Sequence, residues 1–490
     1  MEIKAIHAAA SGWFAAQGLV DEAVVHALKA GDVTGAAGLV EAQVHTALDR
    51  ENWRQLEHLV GLLPAEVSGR PRLLLVHAWL HFIRWQFGAV EVWLDAAEHA
   101  LRSGSPAAPG MEGILWGEIN ILRASLANNR GDGELVVQHA EAALTMLRPE
   151  LRYTMGMAQL YYIWGLQACG RYESAVDFAH RQLDMYGWQA NALSLRLLLA
   201  LSTVQFDMAD LPGMQRTVTV WHKLAEQAGY GLSLAWSLFG FGWLCYQRNE
   251  LERANEYFHR LARIAWTAHG RAVVDGYTGL VLIALARGLP DEALVQIGAL
   301  NGFLLERGMS ALGSVVQSLE QRVALVAGTE AALAWRQAPG TARANGDFWE
   351  QPVLTEVRTL LAAGGSPELA QANVLLAASR AEAQARNSQR RLVEIDALQA
   401  LVAAAQGDKA AARATLKRSV LRAAPGGAIA VAGRLWAGID CVLARIAGGR
   451  RRAGVYPEST GGVWRDRRDS KGVHRPGCRH GAAGKAGDAG

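Results

Sequence analysis

Apolar residues recur three or four positions apart along most of the chain, and short polar interruptions break this pattern into separate runs. Leu280 and Ile283 precede one such interruption, and Ala293 and Ile297 follow it, each pair keeping the spacing of a single helix face. Alternation of apolar and polar residues, which would indicate strands, is nearly absent. The pattern therefore predicts an all-α chain.

Most interruptions share one phrase, in which a Gly or Asn is followed five positions later by an Ala that opens the next apolar run. The phrase recurs about every 40 residues, a period typical of helical-repeat proteins. The chain is therefore predicted to be a superhelical solenoid of about nine stacked helical hairpins. Clear copies occupy 18–23, 170–175, 249–254, 288–293 and 407–412; looser copies start at Gly88, Gly131, Gly328 and Gly364, and a weaker one lies near Asp207.

The residue types in this phrase suit a tight corner between two helices. Gly170 and Gly288 are expected to take positive φ, a conformation that is strained for residues with a Cβ. Acidic residues that follow, such as Asp291, suit the positive end of the next helix. The Ala, for example Ala254 or Ala293, is small enough to let the two helices approach closely. Each copy of the phrase therefore predicts the corner of one hairpin.

The pattern divides the chain into four regions. A helical entry region with four helical runs comes first, and the repeats follow, with short interruptions that are interpreted as loops between repeats. The pattern then weakens and ends in a Gly- and Arg-rich tail, which is predicted to be disordered because it has little to bury. The regions are 1–65 (entry), 66–427 (solenoid), 428–447 (degraded terminal helix) and 448–490 (tail), with interruptions at 103–110, 338–346 and 363–367.

Composition and charge argue against a nucleic-acid-binding body. The 490-residue chain is 51% hydrophobic and 19% charged, as in folded globular proteins. Its formal net charge is +3, but the tail from Gly448 holds ten Lys or Arg and only four Asp or Glu, so the rest is slightly acidic. Specific DNA binding is therefore not expected. The Arg clusters at 450–452 and 465–468 are interpreted as parts of a solvated tail.

Other patterns indicate a soluble, cytoplasmic protein. The four cysteines are far apart and form no CxxC pair, as in reduced cytosolic proteins. The N-terminus is too polar for a signal peptide. Residues 227–247 carry no charge, but their several Gly and Ser residues and the turn at Asn249 favour a buried hairpin helix over a membrane span.

No metal centre is indicated. His77 and His81 have the i, i+4 spacing of ligands on a helix, but Ala78 stands where an HExxH motif needs Glu, and no third ligand is apparent. They are interpreted as ordinary helix-surface or groove histidines. The tail residues His474, Cys478 and His480 lack a scaffold that would fix a tetrahedral site.

No catalytic motif is present either. Ser, His and acidic residues are scattered, without a nucleophile-elbow phrase or a Cys–His signature. Glu91, Glu173 and Glu252 fall near predicted helix starts, where the helix dipole explains acidic residues. The chain is predicted not to be an enzyme and to need no cofactor.

Aromatic residues are the strongest candidates for contacts with a ligand. Sixteen tryptophans are present, and nine large aromatic residues fall in predicted first helices of hairpins. Most are interpreted as wedges between stacked helices, because aromatic side chains bury large areas. A few could instead line the concave groove and stack on a ligand. The candidates are Trp79, Trp85, Trp116, Tyr161, Tyr162, Trp164, Trp236, Trp243 and Tyr246.

Three segments resemble a known protein family. Residues 7–32 look like the segment that leaves the ATPase part of MalT-like, large LuxR-type transcriptional regulators. Residues 51–66 and the following Arg70-Pro-Arg-Leu73 resemble the entry into their tetratricopeptide (TPR)-like helical-repeat domain, and residues 397–427 are similar to its last repeat. The resemblance covers residues 5–427. It implies a nucleotide-binding switch, a superhelical sensor for inducers or inhibitory proteins, and a C-terminal helix-turn-helix.

The sequence departs from that plan at both ends. No GxxxxGK[ST] loop occurs, since Gly481-Ala-Ala-Gly-Lys485 lacks the spacing and the Ser or Thr. The Arg-rich tail stands where the helix-turn-helix should begin. ATP switching and specific DNA binding are therefore not expected of this polypeptide, which is interpreted as a truncated or fragmentary member. The sequence predicts a non-catalytic scaffold that binds a small-molecule effector or a protein partner in its groove, with self-association as a further expectation. The alternative is a free-standing TPR-type adaptor.

Overall fold

The computed structural model describes residues 2–104, 110–309, 312–328 and 349–427. These residues form 21 α-helices and two short 3-10 helices, Ala65–Val67 and Ala265–Thr267, and contain no strand. The predicted all-α fold is confirmed. The helices are α1 Glu2–Ala16, α2 Val20–Ala30, α3 Val33–Asp49, α4 Trp53–Gly61, α5 Pro71–Ile83, α6 Phe87–Arg102, α7 Glu112–Arg130, α8 Gly133–Met146, α9 Arg152–Ala168, α10 Tyr172–Tyr186, α11 Ala192–Asp207, α12 Leu211–Ala228, α13 Gly231–Gln247, α14 Leu251–Arg263, α15 Gly270–Ala286, α16 Pro290–Glu306, α17 Gly313–Ala327, α18 Pro352–Ala363, α19 Ser366–Ala385, α20 Gln389–Ala405 and α21 Lys409–Ala423.

Consecutive helices from α5 onward pair into hairpins. The pairs α5–α6 to α15–α16, together with α18–α19 and α20–α21, are complete within the described residues, and α17 is followed by residues 329–348, which lie outside them. Each odd-numbered helix from α5 to α17 also packs against the next odd-numbered helix. These helices form one continuous layer, as expected for a solenoid in which each repeat packs on its neighbours.

Most predicted corners are confirmed. Gly170 and Gly288 take φ values of +75° and +72°, and Asn249 takes +63°. At these corners the N–H of the residue after the turn donates to a carbonyl of the preceding helix, for example Leu289 N–H to Ala284 O at 2.9 Å. Such bonds satisfy carbonyl groups that a helix end leaves without partners.

Two details of the predicted corners are wrong, and a third corner lacks the expected Gly or Asn. The corner assigned to Gly88 lies at Trp85, with φ of +61°, and Gly88 belongs to the first turn of α6. The weak copy near Asp207 turns at Ala209, with φ of +57°. Both turns use a residue with a Cβ, so no glycine marked them. The interruption at 363–367 is the turn inside the α18–α19 hairpin, with Gly364 at +72°, rather than a loop between repeats.

Small residues at the corners and on facing helices allow close packing. The corner residues Ala175, Ala254 and Ala293 are fully buried, whereas Ala412 in the last repeat is only half-buried. The ring of Phe258 lies against Gly242 of α13 and Gly279 of α15, where an added Cβ would approach ring atoms to 2.5 and 2.4 Å. Glycine at these two positions therefore gives the ring its space between the helices.

The predicted regions are only partly visible in the structure. Helices α1–α4 correspond to the four helical runs expected in residues 1–65, and α2–α4 share a hydrophobic cluster with residues around Leu73. The terminal helix proposed for 428–447 and the tail at 448–490 lie outside the described residues. The charge-free segment forms α13, which is largely buried among its neighbours. Within the described ranges, no helix has both the length and the apolar character that crossing a bilayer requires.

Candidate ligand-binding site

A cavity lies along the layer of odd-numbered helices, bounded by α5, α7, α9, α11, α13 and α15. Protein atoms leave about 790 Å³ unoccupied there, a volume that includes space open to solvent. The lining residues are Phe82, Ile83, Trp85, Phe87, Ser125, Asn128, Asn129, Tyr153, Met157, Leu160, Tyr161, Trp164, Arg196, Leu199, Leu232, Trp236, His269, Arg271 and Arg386.

Aromatic rings form much of the cavity wall. The ring of His269 contacts Trp85 edge-on at a centroid distance of 5.3 Å and Trp236 at 5.7 Å. Tyr161 and Trp164 meet edge-to-face at 5.6 Å. These contacts fix the ring orientations, so the wall presents rigid apolar faces on which a planar group can stack.

Three arginines supply the charged part of the lining. The guanidinium of Arg196 pairs with Glu51 and lies 4.8 Å from the centre of the Tyr153 ring. Arg271 is 3.5 Å from Asp275 and lies over the Trp236 ring at 5.6 Å.

Arg386 follows α19 and is 3.6 Å from Glu382. The three acidic partners do not line the cavity, and neither does any other Asp or Glu in the part of the chain that the structure describes.

Three lining residues carry buried polar atoms that have no hydrogen-bond partner within the described part of the chain. They are the indole Nε1 of Trp164, the amide Oδ1 of Asn129 and the ring Nδ1 of His269. Burial, with the nearby charges of Arg271 and Arg196, lowers the pKa of His269 to about 3, so its ring is neutral at pH 7. Buried polar groups normally find a partner, in protein or in a bound molecule. Their position in one lining makes the cavity a candidate binding site.

Segments far apart in the chain meet around this cavity. The last residue of α3, Asp49, contacts α9 and the residue before α13: its side chain accepts from the Tyr153 N–H and its backbone oxygen from the Tyr230 hydroxyl, both at 2.7 Å. On another side, the Gln167 amide donates to the backbone oxygen of Arg386 at 3.2 Å, and the Ser388 hydroxyl is 3.2 Å from Asp207. The groove is thus bordered by the entry helices and by a late repeat together.

A family model described as the MalT-like TPR region matches residues 117–431. The chain belongs to this family. The match includes α7 from Gly117 onward and α8–α21, and therefore most of the residues that line the cavity. Residues 1–116, which contain the segment resembling the exit from the ATPase part and the one resembling the entry into the repeat domain, lie outside the matched range.

Solved structures similar to this MalT-like TPR region include two helical proteins. One is a Rap protein in complex with competence and sporulation factor, with 13% sequence identity and a TM-score of 0.47; the alignment covers 79% of this chain and 98% of that chain. Yeast Tom70 is 9% identical, with coverage of 91% and 96% and a TM-score of 0.37.

The nine candidate aromatic residues divide into three groups in the structure. Trp85, Tyr161, Trp164 and Trp236 line the cavity. Trp79 and Trp243 are fully buried in the core. Trp116, Tyr162 and Tyr246 are half-buried and do not line the cavity.

The candidate metal ligands have other surroundings. The rings of His77 and His81 stack on Trp93 at centroid distances of 4.4 and 6.4 Å, and His81 Nδ1 is 2.6 Å from the Gln86 side-chain oxygen. No cluster of three or more His, Cys, Asp or Glu side chains that could hold a metal occurs among the described residues. His474, Cys478 and His480 lie outside them.

The three candidate carboxylates differ in position. Glu173 and Glu252 lie in the first turns of α10 and α14, as predicted. The prediction for Glu91 is wrong, because this residue follows the first turn of α6 and pairs with Arg130 of α7 at 2.7 Å.

Sequence reasoning missed a polar cluster buried between the entry helices and the first repeats. Glu118 of α7 is fully buried and accepts hydrogen bonds from Arg72 at 2.5 Å, from the Trp79 indole at 3.0 Å and from His45 at 2.8 Å. No motif marks these residues, which are spread over 74 positions of the chain and become neighbours only through folding.

Proposed function

We propose that this MalT-like TPR region is a non-catalytic binding scaffold that acts as the effector-sensing and interaction domain of a MalT-like LuxR-family regulator. One observation carries the proposal: the cavity combines rigid aromatic faces, three arginines and three buried polar atoms without partners. Ligand sites in proteins are typically such concave, mostly apolar spaces with a few placed polar groups.

The arrangement suits binding better than chemistry. The cavity contains no carboxylate or cysteine, and its one histidine has a pKa lowered to about 3, too low for a general base near neutral pH. The arginines and aromatic rings can orient a ligand, but they supply no group that transfers a proton at neutral pH. We therefore place effector recognition in the cavity.

Two small aromatic probes, benzamide and benzoate, test this proposal. At least one should bind saturably with 1:1 stoichiometry in a titration followed by ligand-observed NMR. An affinity near millimolar is expected for so small a molecule, because each non-hydrogen atom contributes roughly 0.3–1.5 kcal/mol.

A matched pair of variants locates the binding. Trp164→Ala removes a cavity face and should weaken binding by about tenfold. Trp116→Ala removes a half-buried tryptophan of α7 that does not line the cavity, and it should leave binding unchanged. If neither probe binds saturably, or if both variants behave alike, the cavity is not the site, and a TPR-type adaptor that uses another surface would explain the fold better.

A further inference from the structure

The charge of the lining residues carries information about the ligand. Arg196, Arg271 and Arg386 come from α11, from α15 and from the segment after α19, yet all three reach the same cavity. Among the described residues no acidic side chain lines it, and His269 is neutral at pH 7. A cationic ligand would therefore face three guanidinium groups, while their carboxylate partners Glu51, Asp275 and Glu382 lie outside the lining.

The arginines are held in place by partners outside the lining. Arg196, whose side chain is only 4% exposed, pairs with Glu51, and the Ser233 hydroxyl lies 3.3 Å from its other terminal nitrogen. A guanidinium has five N–H donors in a fixed plane, so an arginine with one carboxylate partner can still bind a second acceptor. Preorganised arginines of this kind are well suited to a planar anion.

The buried atoms without partners add donors and an acceptor to the same space. The Trp164 indole Nε1 is only a donor, and the Asn129 Oδ1 is only an acceptor. A carboxylate beside the arginines could accept from Trp164, while an N–H or O–H elsewhere on the ligand could donate to Asn129. The aromatic faces of Trp85 and Trp236 leave the rest of the space to a flat apolar group.

We propose that the cavity selects small ligands in which an aromatic or other planar apolar group carries a carboxylate or a similar anionic group. This inference rests on the proposed function and narrows it to a ligand class. Because helices α5, α7, α9, α11, α13 and α15 surround the cavity, the ligand is a small molecule and not a folded segment of a partner protein.

Benzoate and benzamide test the role of charge, because they have nearly the same size and shape but only benzoate is an anion. Benzoate should bind about tenfold more tightly than benzamide, because hydrogen bonds to an ionised group are roughly twice as strong as neutral ones. The preference should shrink with rising salt at constant pH. Equal or tighter binding of benzamide would overturn the ligand class and leave the cavity as a binding site.

Arg386→Gln is the variant of choice. The Arg386 side chain is 18% exposed, and the hydrogen bond from Gln167 goes to its backbone oxygen, so the substitution removes charge with little disturbance of the fold. Arg102→Gln is the matched control, because Arg102 also pairs with a glutamate four residues earlier but lies outside the cavity.

The expected result is that Arg386→Gln removes most of the benzoate preference while benzamide affinity stays within about twofold. Arg102→Gln should keep the full preference. Far-UV circular dichroism and thermal unfolding show whether each variant is folded. If Arg386→Gln is folded and still prefers benzoate as strongly as the unmodified protein does, the arginines do not select the ligand and the inference is wrong.

Discussion

The buried Glu118 gives the sharpest stability prediction. Its carboxylate connects α3, α5 and α7 by accepting from His45, Arg72 and Trp79. Replacing Glu118 with Gln removes the charge and one acceptor oxygen while keeping the size of the side chain. Arg72, only 4% exposed, would then be a buried cation without its counterion.

Two estimates of the resulting loss in unfolding free energy agree. Removing one partner of a buried ion pair typically costs about 3–5 kcal/mol. Separately, burial alone would raise the pKa of Glu118, but the charge of Arg72 and the hydrogen bond from His45 outweigh burial and lower the pKa from 4.5 to about 2. That difference corresponds to about 3 kcal/mol of unfolding free energy at neutral pH. We expect Glu118→Gln to lose about 3 kcal/mol.

Urea unfolding followed by far-UV circular dichroism measures this loss, and pH provides a second signature. Because the folded pKa is lowered, the contribution is complete above pH 4.5 and disappears as the pH falls towards about 2. The gap between the two proteins should therefore close over that range. The control is Glu91→Gln, whose ion pair with Arg130 is largely exposed, and it should cost less than about 1 kcal/mol. A Glu118→Gln protein as stable at pH 7 as the control would refute the reasoning.

Two further predictions follow from a corner and from a second buried carboxylate. Gly288→Val should cost about 1–2 kcal/mol in chemical denaturation, because φ is +72° there and the added Cβ meets no other atom, so backbone strain alone acts. Gly298→Ala in helix α16 also meets open space and should instead stabilise by about 0.5–1 kcal/mol; equal midpoints for the two variants would contradict the corner. Burial raises the pKa of Asp275 from 3.8 to about 6, although Arg271 and the Trp349 N–H act in the opposite direction. The folded protein therefore binds this proton more tightly than the unfolded chain does, and the resulting stabilisation is lost as the pH rises from about 4 to 6. Asp275→Asn should flatten the dependence of stability between pH 4 and 6, a slope worth about 3 kcal/mol in total, and an unchanged slope would show that Asp275 does not titrate there.

The fold was largely predictable because local rules determine it. Helical spacing of apolar residues and a glycine or asparagine at positive φ recur in every clear copy of the phrase, and each acts within a few positions of the chain. The prediction was wrong at Trp85, where a residue with a large side chain takes positive φ. The Trp85 ring packs against His269 at 5.3 Å, a contact between residues 184 positions apart that no local pattern reports.

For the candidate site, only its general type, a groove lined by some of the aromatic residues, was predictable from the sequence. Abundant aromatic residues in first helices pointed to the groove, and Trp85, Tyr161, Trp164 and Trp236 do line it. Which aromatic residues reach the cavity depends on how far the superhelix turns per repeat, and spacing along the chain does not encode that quantity. The arginines were missed for the same reason, since Arg196 and Arg386 lie 190 positions apart in the sequence.

The position of the cavity suggests how ligand binding could be transmitted. Its wall combines Trp85 after α5, Arg271 of α15 and Arg386 after α19, three segments that the chain connects only through many intervening helices. A ligand that contacts all three adds its binding free energy to the contacts that already hold these segments in the groove, such as the hydrogen bond from Gln167 of α9 to the Arg386 backbone oxygen. By linkage, any conformation in which these segments move apart binds the ligand less well. A bound ligand therefore shifts the population towards the conformation in which the three segments lie together. A ligand bound to only one repeat would stabilise that repeat without holding distant repeats together. Contact with Arg386 is therefore the feature that would turn a binding cavity into a sensor.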